Sequence, residues 1–593
     1  MGRVEGYDTT VMKQGLLAAL SGAAILGLTA AGALGAPGSQ FTFAVIGDRT
    51  EDADDAVFEQ VLREVTELSP DLVLGVGDLI EGYTSDSALV EGEWNEVMDL
   101  LDATGIQYHL TPGNHDIFDP QSRAIHRRRF GAPDTYFRFM DCVFVIMDVS
   151  AYGSSSAVPQ GKLDWLAHVL EVSRRARGIF VFYHRPFWAE DFSAGKENAI
   201  HSLLVNYPVK AVFTGHYHRY FHTVRDGIQY FGVSSSGGSL PPGGRDRGAF
   251  YAYMLARMSG DTLSVNLVEP GIFTPIDVVT LDDAVRMATV EAGAVELSEL
   301  VAYDYRMSNV GQVTITVENP GSVTLTDTAR WVLRGDWAVE PMRDYVEVPP
   351  DEVGKLTAFV RCDGYLFPVP ILEMRVPCCD GRTVEIVKPL NVKRVIYADY
   401  ADSAPVIDGV LGESVWRATG GETEFFGPQG GRSPADSTIL RICYDETDIY
   451  FGVECLDRGI SKLQAGAVER DGLATGDDAV TFLFQLPQDA RVFYQIAVNP
   501  AGTIFDRKVD ICPFGTYVSD PSWNGPVQAA TRVLADRWVL EMAFPKAALA
   551  AGVSADTRWG FNFMRIQQRL KAGAYFQAPL RYRADAIGAL GFR

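Results

Sequence analysis

The chain has no histidine after His222, few cysteines and no excess of positive charge. Its seven cysteines form no Cys-x-x-Cys pair, which excludes a disulfide-built scaffold and a zinc ribbon. The net charge of −24 excludes long nucleic acids as expected partners, because an acidic surface repels a phosphate backbone. We find no repeat of fixed period, which excludes solenoid and collagen-like folds.

The cysteines leave two alternatives open. In an oxidising compartment Cys362 could pair with Cys378 or Cys379, and Cys443 with Cys455. Buried free thiols are the other interpretation, since cysteine packs well as a small apolar residue.

Charge is also absent near the N-terminus, where Gly15–Ala36 contains no charged residue and follows Lys13. This pattern predicts that residues 1–36 are a signal peptide or an N-terminal anchor. We therefore expect an exported protein that is periplasmic, attached to the cell surface or extracellular. Apart from this segment we expect no membrane span.

With 593 residues the chain is too long for one hydrophobic core, and its pattern of apolar and polar residues changes twice. Residues 40–280 alternate short apolar runs with segments of helical period, which predicts an α/β layered domain. Residues 285–394 show period-two alternation, which predicts an Ig-like β-sandwich. Residues 395–593 contain strands rich in aromatic residues and are predicted to form a second, larger β-sandwich.

The first domain is predicted to contain helices at Asp52–Leu68 and Gly161–Arg177. Its strands are predicted from six apolar runs: Phe41–Ile46, Leu72–Val76, Tyr108–Thr111, Val143–Met147, Ile179–Tyr183 and Val209–Thr214. In the middle domain, strands are predicted at Val313–Val317 and Val323–Thr326.

All nine histidines lie between His109 and His222, which locates the candidate site. Five of the six apolar runs are followed by residues of metal-ligand type: Asp48, Asp78, Asn114 with His115 and Asp116, His184, and His216 with His218. Open α/β sheets place their sites at the carboxyl ends of strands, so these side chains should converge. Two divalent cations about 3.5–4 Å apart need this mixture of carboxylate, imidazole and amide ligands.

These motifs, in this order, resemble the calcineurin-like metallophosphoesterases over residues Phe41–Asp277. The resemblance implies a four-layer α/β sandwich and in-line hydrolysis of a phosphoester by water that two divalent metal ions (Mn, Fe, Zn or Mg) activate. It also implies that Asp78 bridges the two ions. Asn114, His184 and His216 would complete the second metal site, and Asp48 and His218 would belong to the first.

The same resemblance implies that His115 stabilises the phosphoryl transition state or protonates the leaving oxygen, and that Asp116 orients its imidazole. The sequence departs from the family pattern where Thr50 replaces an expected histidine. Thr50, a water molecule, Glu51 or Asp52 could fill the missing position. We expect a first site that is weaker, or that prefers manganese or magnesium.

Arg49, Arg185 and Arg219 each follow a proposed ligand, and their planar guanidinium groups suit phosphate oxygens. The alternative is that each is paired with local carboxylates. The basic segment Arg123–Arg129 could frame the entrance to the site, but a solvated helix face is the favoured interpretation.

The last region resembles family-9 carbohydrate-binding modules through Ile407-Asp408-Gly409, Val498-Asn499-Pro500 and Trp559-Gly560-Phe561-Asn562. Sugar binding requires exposed aromatic rings, for which the region offers Trp416, Trp523, Trp538 and Trp559. We expect Trp538 and Trp559 to pack in the core and only Trp523 to face a ligand.

Together these observations predict an exported metal-dependent phosphoesterase that hydrolyses a phosphomonoester or phosphodiester, with C-terminal domains that bind a polysaccharide or a cell-envelope glycan. The alternative is a non-catalytic surface glycan-binding protein with a degenerate metal site.

Overall fold

The computed structural model describes residues 40–593 apart from 52, 85, 304–309, 379–380, 472–475, 487–490, 512–516, 521–522, 549–557 and 579–585. The predicted signal peptide or anchor at residues 1–36 lies outside the described residues, so it stays a prediction. Two compact units are present, one up to Ala284 and one from Val285 onward. The finer domain boundaries at 40–280, 285–394 and 395–593 also stay predictions. Within the described residues, no helix is both long and apolar enough to cross a membrane.

The first unit contains two six-stranded sheets with short helices between the strands. The first sheet has the order β12-β11-β10-β1-β2-β3 and the second β4-β5-β6-β7-β9-β8, with the strands β1 Gln40–Ile46, β2 Leu72–Gly75, β3 Tyr108–Leu110, β4 Thr135–Phe139, β5 Cys142–Ile146, β6 Gly178–Phe182, β7 Val209–Thr214, β8 Phe221–Arg225, β9 Ile228–Gly232, β10 Tyr253–Ser259, β11 Thr262–Glu269 and β12 Ile272–Thr274. The helices are α1 Asp55–Leu68, α2 Ser87–Asp102, α3 Pro120–Phe130, α4 Gln160–Val172, α5 Phe187–Ser193 and α6 Ala199–Leu204, and α7 Leu281–Gly293 follows.

The two sheets pack face to face between helices, as side-chain alternation along β1 shows. Phe43 contacts Phe180 of the second sheet, with ring centroids 5.0 Å apart. Its neighbour Ala44 lies on the opposite face, in a core shared with α1, α2 and α3. Trp188 of α5 covers the outer face of the second sheet, where its ring lies 5.1 Å from Tyr230. The predicted four-layer α/β sandwich is confirmed.

Both predicted helix ranges were too long at one end. Helix α1 begins at Asp55 rather than Asp52, because the Asp54 side chain caps it by accepting a hydrogen bond from the Val57 N–H. Helix α4 ends at Val172 rather than Arg177, because the chain turns at Ser173 to enter β6.

The middle of the chain forms two four-stranded antiparallel sheets, β13-β15-β19-β17 and β18-β16-β20-β21. Their strands, with the separate β14, are β13 Val295–Leu297, β14 Leu300–Ala302, β15 Gly311–Glu318, β16 Leu325–Val332, β17 Trp337–Glu340, β18 Arg343–Val348, β19 Val353–Cys362, β20 Ile371–Pro377 and β21 Thr383–Pro389. Burial alternates along β15, where Val313, Ile315 and Val317 face inward. The strand predicted at Val323–Thr326 instead starts at Leu325.

The remaining strands form one continuous sheet path, β28-β27-β26-β25-β31-β33-β22-β23-β24-β30-β29, with β14 and β32 alongside. They are β22 Val392–Tyr400, β23 Thr438–Tyr444, β24 Asp448–Leu456, β25 Ala479–Gln485, β26 Val492–Val498, β27 Ile504–Ile511, β28 Tyr517–Asp520, β29 Gln528–Val533, β30 Arg537–Pro545, β31 Arg558–Gln567, β32 Ala572–Tyr575 and β33 Gly588–Phe592, with the short helix α8 Ser414–Ala418. Phe451 of β24 contacts Phe482 of β25 across the core, with centroids 4.7 Å apart. The path therefore folds over itself as a β-sandwich.

Trp538 and Trp559 are buried in this core, as predicted. Trp416 is buried as well and donates a hydrogen bond from Nε1 to the Glu541 carboxylate at 2.7 Å. Trp523 is partly buried. Cys142, Cys362, Cys443 and Cys455 are free thiols.

Candidate metal centre

The candidate ligands lie on loops that follow the carboxyl ends of five strands. Asp48 follows β1, Asp78 follows β2, and β3 leads to Asn114 and His115. In the second sheet, His184 follows β6 and His216 and His218 follow β7. Because β1, β2 and β3 are parallel, as are β6 and β7, these loops emerge at the same edge of each sheet.

Three side chains form the centre of the site. The Nε2 atom of His184 lies 2.9 Å from Oδ2 of Asp78 and 3.3 Å from Nδ1 of His216. One ligand atom from each of the three residues lies within 4.8 Å of the others. Two imidazoles and a carboxylate that converge in this way suit a divalent cation.

Backbone geometry allows this convergence. Gly77 has φ +106, and a Cβ there would lie 2.7 Å from Nδ1 of His184. Asp78, His216 and His218 also have positive φ values, of 57, 75 and 50. Left-handed conformations of non-glycine residues cost free energy and cluster at functional sites.

Two buried oxygen atoms beside this group have no hydrogen-bond partner among the described residues. They are Oδ1 of Asn114 and Oδ2 of Asp48. A buried oxygen without a hydrogen-bond partner costs free energy, and binding to a cation would remove that cost. The donor set of Asp78, Asn114, His184 and His216 therefore fits the second metal site that the sequence predicted.

The first site has fewer ligands. Oδ1 of Asp48 accepts a hydrogen bond from the His216 N–H and lies 3.7 Å from Nε2 of His218. Nδ1 of His218 lies 2.7 Å from the Ser239 carbonyl oxygen, which fixes that nitrogen as the donor. The hydroxyl of Thr50 is buried without a partner among the described residues, so it can contribute an oxygen here.

The two acidic residues that were alternatives to Thr50 differ in what the structure describes. Glu51 is exposed and accepts a hydrogen bond from the Ser239 hydroxyl at 3.3 Å. Asp52 lies outside the described residues.

The charges of the central residues affect one another's pKa values. Burial opposes the charged form of Asp78, but the charge and hydrogen bond of His184 outweigh it and hold the Asp78 pKa below its usual range. Burial likewise opposes the charged form of His184, but Asp78 raises the His184 pKa to about 9. Burial and the charge of Arg185 lower the pKa of His216 well below its usual value. Asp78 is therefore negatively charged and His216 neutral, which are the forms that bind cations, whereas His184 has to release a proton when a cation binds.

Asp116 does not orient His115, contrary to the sequence prediction. Its carboxylate accepts hydrogen bonds from the N–H groups of Asp78, Gly113 and Leu79 at 2.7, 2.8 and 3.0 Å. His115 is instead oriented by the Glu81 carbonyl oxygen, which lies 2.7 Å from its Nδ1 atom. Asp116 therefore fixes two ligand-bearing loops, while a backbone carbonyl orients the imidazole.

The three arginines have different environments. Arg49 is buried and forms ion pairs with Asp55, at 2.7 Å, and Glu96. Arg219 is buried and donates hydrogen bonds to the carbonyl oxygens of Pro242 and Arg247.

Arg185 has no ion pair within the described part of the chain. Its Nε and Nη1 atoms are buried without a hydrogen-bond partner there, and its charge acts on His216. Among the three arginines, Arg185 best fits a role in anion binding.

The basic segment after Arg123 is largely neutralised by acidic neighbours. Arg123 pairs with Asp148 at 2.7 Å, and Arg128 and Arg129 both pair with Glu91. This matches the favoured interpretation of a helix face rather than a site entrance.

The sequence interpretation missed two supporting segments. The serines after β9 support the first site, since Ser235 donates from Oγ to the Asp48 carbonyl oxygen and the Ser239 carbonyl holds His218. Glu81 and Tyr83 contact His115 and Asn114. The run Ser234-Ser235-Ser236-Gly237-Gly238 directly after an apolar strand was a signal that could have identified the first segment.

Several solved structures are similar to parts of the chain. A dimetal phosphatase from Danio rerio has 15% identity over 39% of this chain and 98% of its own, with a TM-score of 0.29. A purple acid phosphatase from yellow lupin has 12% identity over 40% of this chain and 53% of its own, with a TM-score of 0.32. A family-9 carbohydrate-binding module from Caldicellulosiruptor kristjanssonii, in complex with cellotriose, has 15% identity over 34% of this chain and 94% of its own, with a TM-score of 0.26.

No curated protein matches the chain significantly. A family model matches residues 41–220, the part that carries every proposed metal ligand. Residues 41–220 thus match the calcineurin-like phosphoesterase family, the family that the sequence motifs resemble.

Proposed function

We propose that the first unit hydrolyses a phosphomonoester or phosphodiester with the help of two divalent cations. The observation that carries this proposal is the convergence of Asp78, His184 and His216 beside the unpartnered Oδ1 of Asn114. When bound, the cations lower the pKa of water and neutralise charge on the phosphate. Asp48 and His218 would hold the first cation, and the Asp78 carboxylate would serve both cations.

The other residues of the site bind and protonate the substrate. Arg185 has two guanidinium nitrogens without a partner among the described residues and lies close enough for its charge to act on His216, so it would bind phosphate oxygens at this site. The Nδ1–H group of His115 donates a hydrogen bond to the Glu81 carbonyl oxygen. Nε2 is therefore the atom that transfers a proton to the leaving oxygen.

Hydrolysis of p-nitrophenyl phosphate and bis(p-nitrophenyl) phosphate by the full chain with added Mn²⁺ tests this proposal. We expect activity on at least one ester and a loss of at least about a thousandfold in Asp78→Asn, because the substitution removes the negative charge and one oxygen of the carboxylate that would serve both cations. If the wild type is inactive on both esters while it binds Mn²⁺, the non-catalytic alternative is correct.

We propose further that the C-terminal sandwich binds a polysaccharide or cell-envelope glycan through Trp523. This ring is partly buried and lies 4.9 Å from the ring of Tyr494. Asp506 nearby is fully buried, is ion-paired with Arg470 at 2.7 Å and accepts a hydrogen bond from the Gly525 N–H, so it supports the loop that carries Trp523. The accessible part of the Trp523 ring can stack on a pyranose face.

Export of the protein also remains our proposal, based on the uncharged segment Gly15–Ala36. Fractionation of cells that produce the full chain tests it. Recovery of the protein only from the cytoplasm would contradict it.

A further inference from the structure

The loop that follows Asp78 contacts the next pair of site residues along the chain. The Glu81 carbonyl oxygen lies 2.7 Å from Nδ1 of His115. The hydroxyl of Tyr83 accepts a hydrogen bond from Nδ2 of Asn114 at 3.2 Å. A single short loop thus touches both polar side chains of the Asn114-His115 motif.

The backbone of this loop passes close to the backbone of His115. Gly82 has φ +58, and a Cβ there would lie 2.0 Å from the His115 carbonyl oxygen. The Gly82 N–H donates to the Glu93 carboxylate of α2 at 3.0 Å, which ties the loop to a helix. Tyr83 itself has φ +48, a conformation that non-glycine residues keep only where surrounding contacts enforce it.

The Tyr83 ring supplies such contacts. Its centroid lies 4.8 Å from that of His115 in an edge-on arrangement and 5.1 Å from that of Phe118. The ring is nevertheless 43% exposed, so it is not simply a core residue.

The Asn114 contact determines which end of the amide faces the site. Because the Tyr83 oxygen accepts from Nδ2, the carbonyl Oδ1 points away from Tyr83 and is buried without a partner among the described residues. Only the oxygen of an amide binds a cation, since the NH₂ group has no lone pair to offer. An amide that rotates freely would present the wrong atom for part of the time.

We propose that Tyr83 is a positioning residue of the metal centre, which holds Asn114 with its oxygen toward the second cation. This inference rests on the proposed two-cation function. Groups that orient metal ligands are known to change metal affinity about 10- to 100-fold when they are replaced.

The test is Mn²⁺ binding by the metal-stripped full chain, measured by isothermal titration calorimetry. We expect Tyr83→Phe, which keeps the ring and removes the oxygen, to bind the second-site Mn²⁺ about tenfold more weakly. Tyr136→Phe, an exposed tyrosine of β4, is the matched control and should bind as the wild type does. With saturating Mn²⁺, kcat of Tyr83→Phe should return close to the wild-type value, because only occupancy is affected.

A double-mutant cycle separates positioning from general support of the fold. In Asn114→Asp both side-chain oxygens can bind the cation, so amide orientation no longer matters. Tyr83→Phe should therefore weaken Mn²⁺ binding at least threefold less in the Asn114→Asp background than in the wild type. An equal loss in both backgrounds would overturn the inference.

The remaining outcomes distinguish this inference from the proposed function. If the wild type binds Mn²⁺, Asp78→Asn does not, and Tyr83→Phe binds as tightly as the wild type, the role of Tyr83 is wrong and the function stands. If the wild type binds no Mn²⁺, both are wrong.

Discussion

Nε2 of His184 lies 2.9 Å from Oδ2 of Asp78, although the two residues come from different sheets. Nδ1 of His184 lies 2.9 Å from the Val76 carbonyl oxygen, which fixes that nitrogen as the donor. Nε2 is therefore the atom that faces the site, together with the carboxylate. This contact joins the two halves of the α/β sandwich at the point where a cation is expected to bind.

Arg185 and Arg49 should respond differently to replacement. Arg185→Ala should raise KM about 10- to 100-fold, because charge-assisted hydrogen bonds to phosphate are lost, without lowering the free energy of unfolding. Arg49→Leu should instead lower that free energy by about 1 kcal/mol, since it removes the ion pairs of a buried guanidinium group with the exposed carboxylates of Asp55 and Glu96.

Steady-state kinetics and urea denaturation check both expectations, with Arg138→Ala on the exposed face of β4 as a control for general charge effects. An unchanged KM in Arg185→Ala would remove this arginine from the binding site.

Thr50→His should strengthen the weaker metal site. The substitution supplies the imidazole that the family pattern carries and that Thr50 lacks, next to Asp48 and His218. We expect the weaker of two Mn²⁺ binding events in calorimetry to become at least about tenfold tighter. If Thr50→His leaves both events unchanged, Thr50 does not lie at the first site.

Stability should fall on acidification because of His126. Its side chain is buried against Trp94 and Phe130, and burial lowers its pKa to about 4. The unfolded chain takes up a proton below the usual pKa of 6.5 and the folded chain does not, so stability is lost as pH falls from 6.5 toward 4. The slope from this one group is about 1.4 kcal/mol per pH unit.

In His126→Phe the melting temperature should depend less on pH within that window. Equal pH dependence in the variant and the wild type would show that His126 is not the responsible group. His222, whose pKa burial also lowers to about 4, is the next candidate.

Trp523→Ala should weaken glycan binding about tenfold, because stacking of a ring on a sugar face is lost. Affinity electrophoresis of the full chain through gels that contain soluble polysaccharides measures this effect. Tyr345→Ala, which removes a 61% exposed ring of the middle region, is the control. Equal retention of Trp523→Ala and the wild type in every gel would contradict a role for Trp523.

Sequence motifs predicted much of the site because strand ends converge whatever the details of packing. Asp78, His184 and His216 each follow an apolar strand, and the parallel strands bring them to one edge. The contacts of Asp116 and Tyr83 could not be predicted, because they depend on the path of loops with positive φ. Periodicity carries no information on such paths.

Helix and strand ends were predicted less well for a related reason. The Asp54 cap and the turn at Ser173 are local hydrogen-bond choices that apolar periodicity does not reveal. The environment of Arg49 depends on Glu96, which lies 47 residues away along the chain, so its ion pair was one of two open alternatives.

The most direct test of the account is calorimetric titration of the metal-stripped full chain with Mn²⁺, for the wild type and Asp78→Asn. We predict two Mn²⁺ ions per wild-type chain with unequal affinities, and the loss of both binding events in Asp78→Asn, because this carboxylate would serve both ions. Absence of Mn²⁺ binding in the wild type, or identical binding in Asp78→Asn, would contradict it.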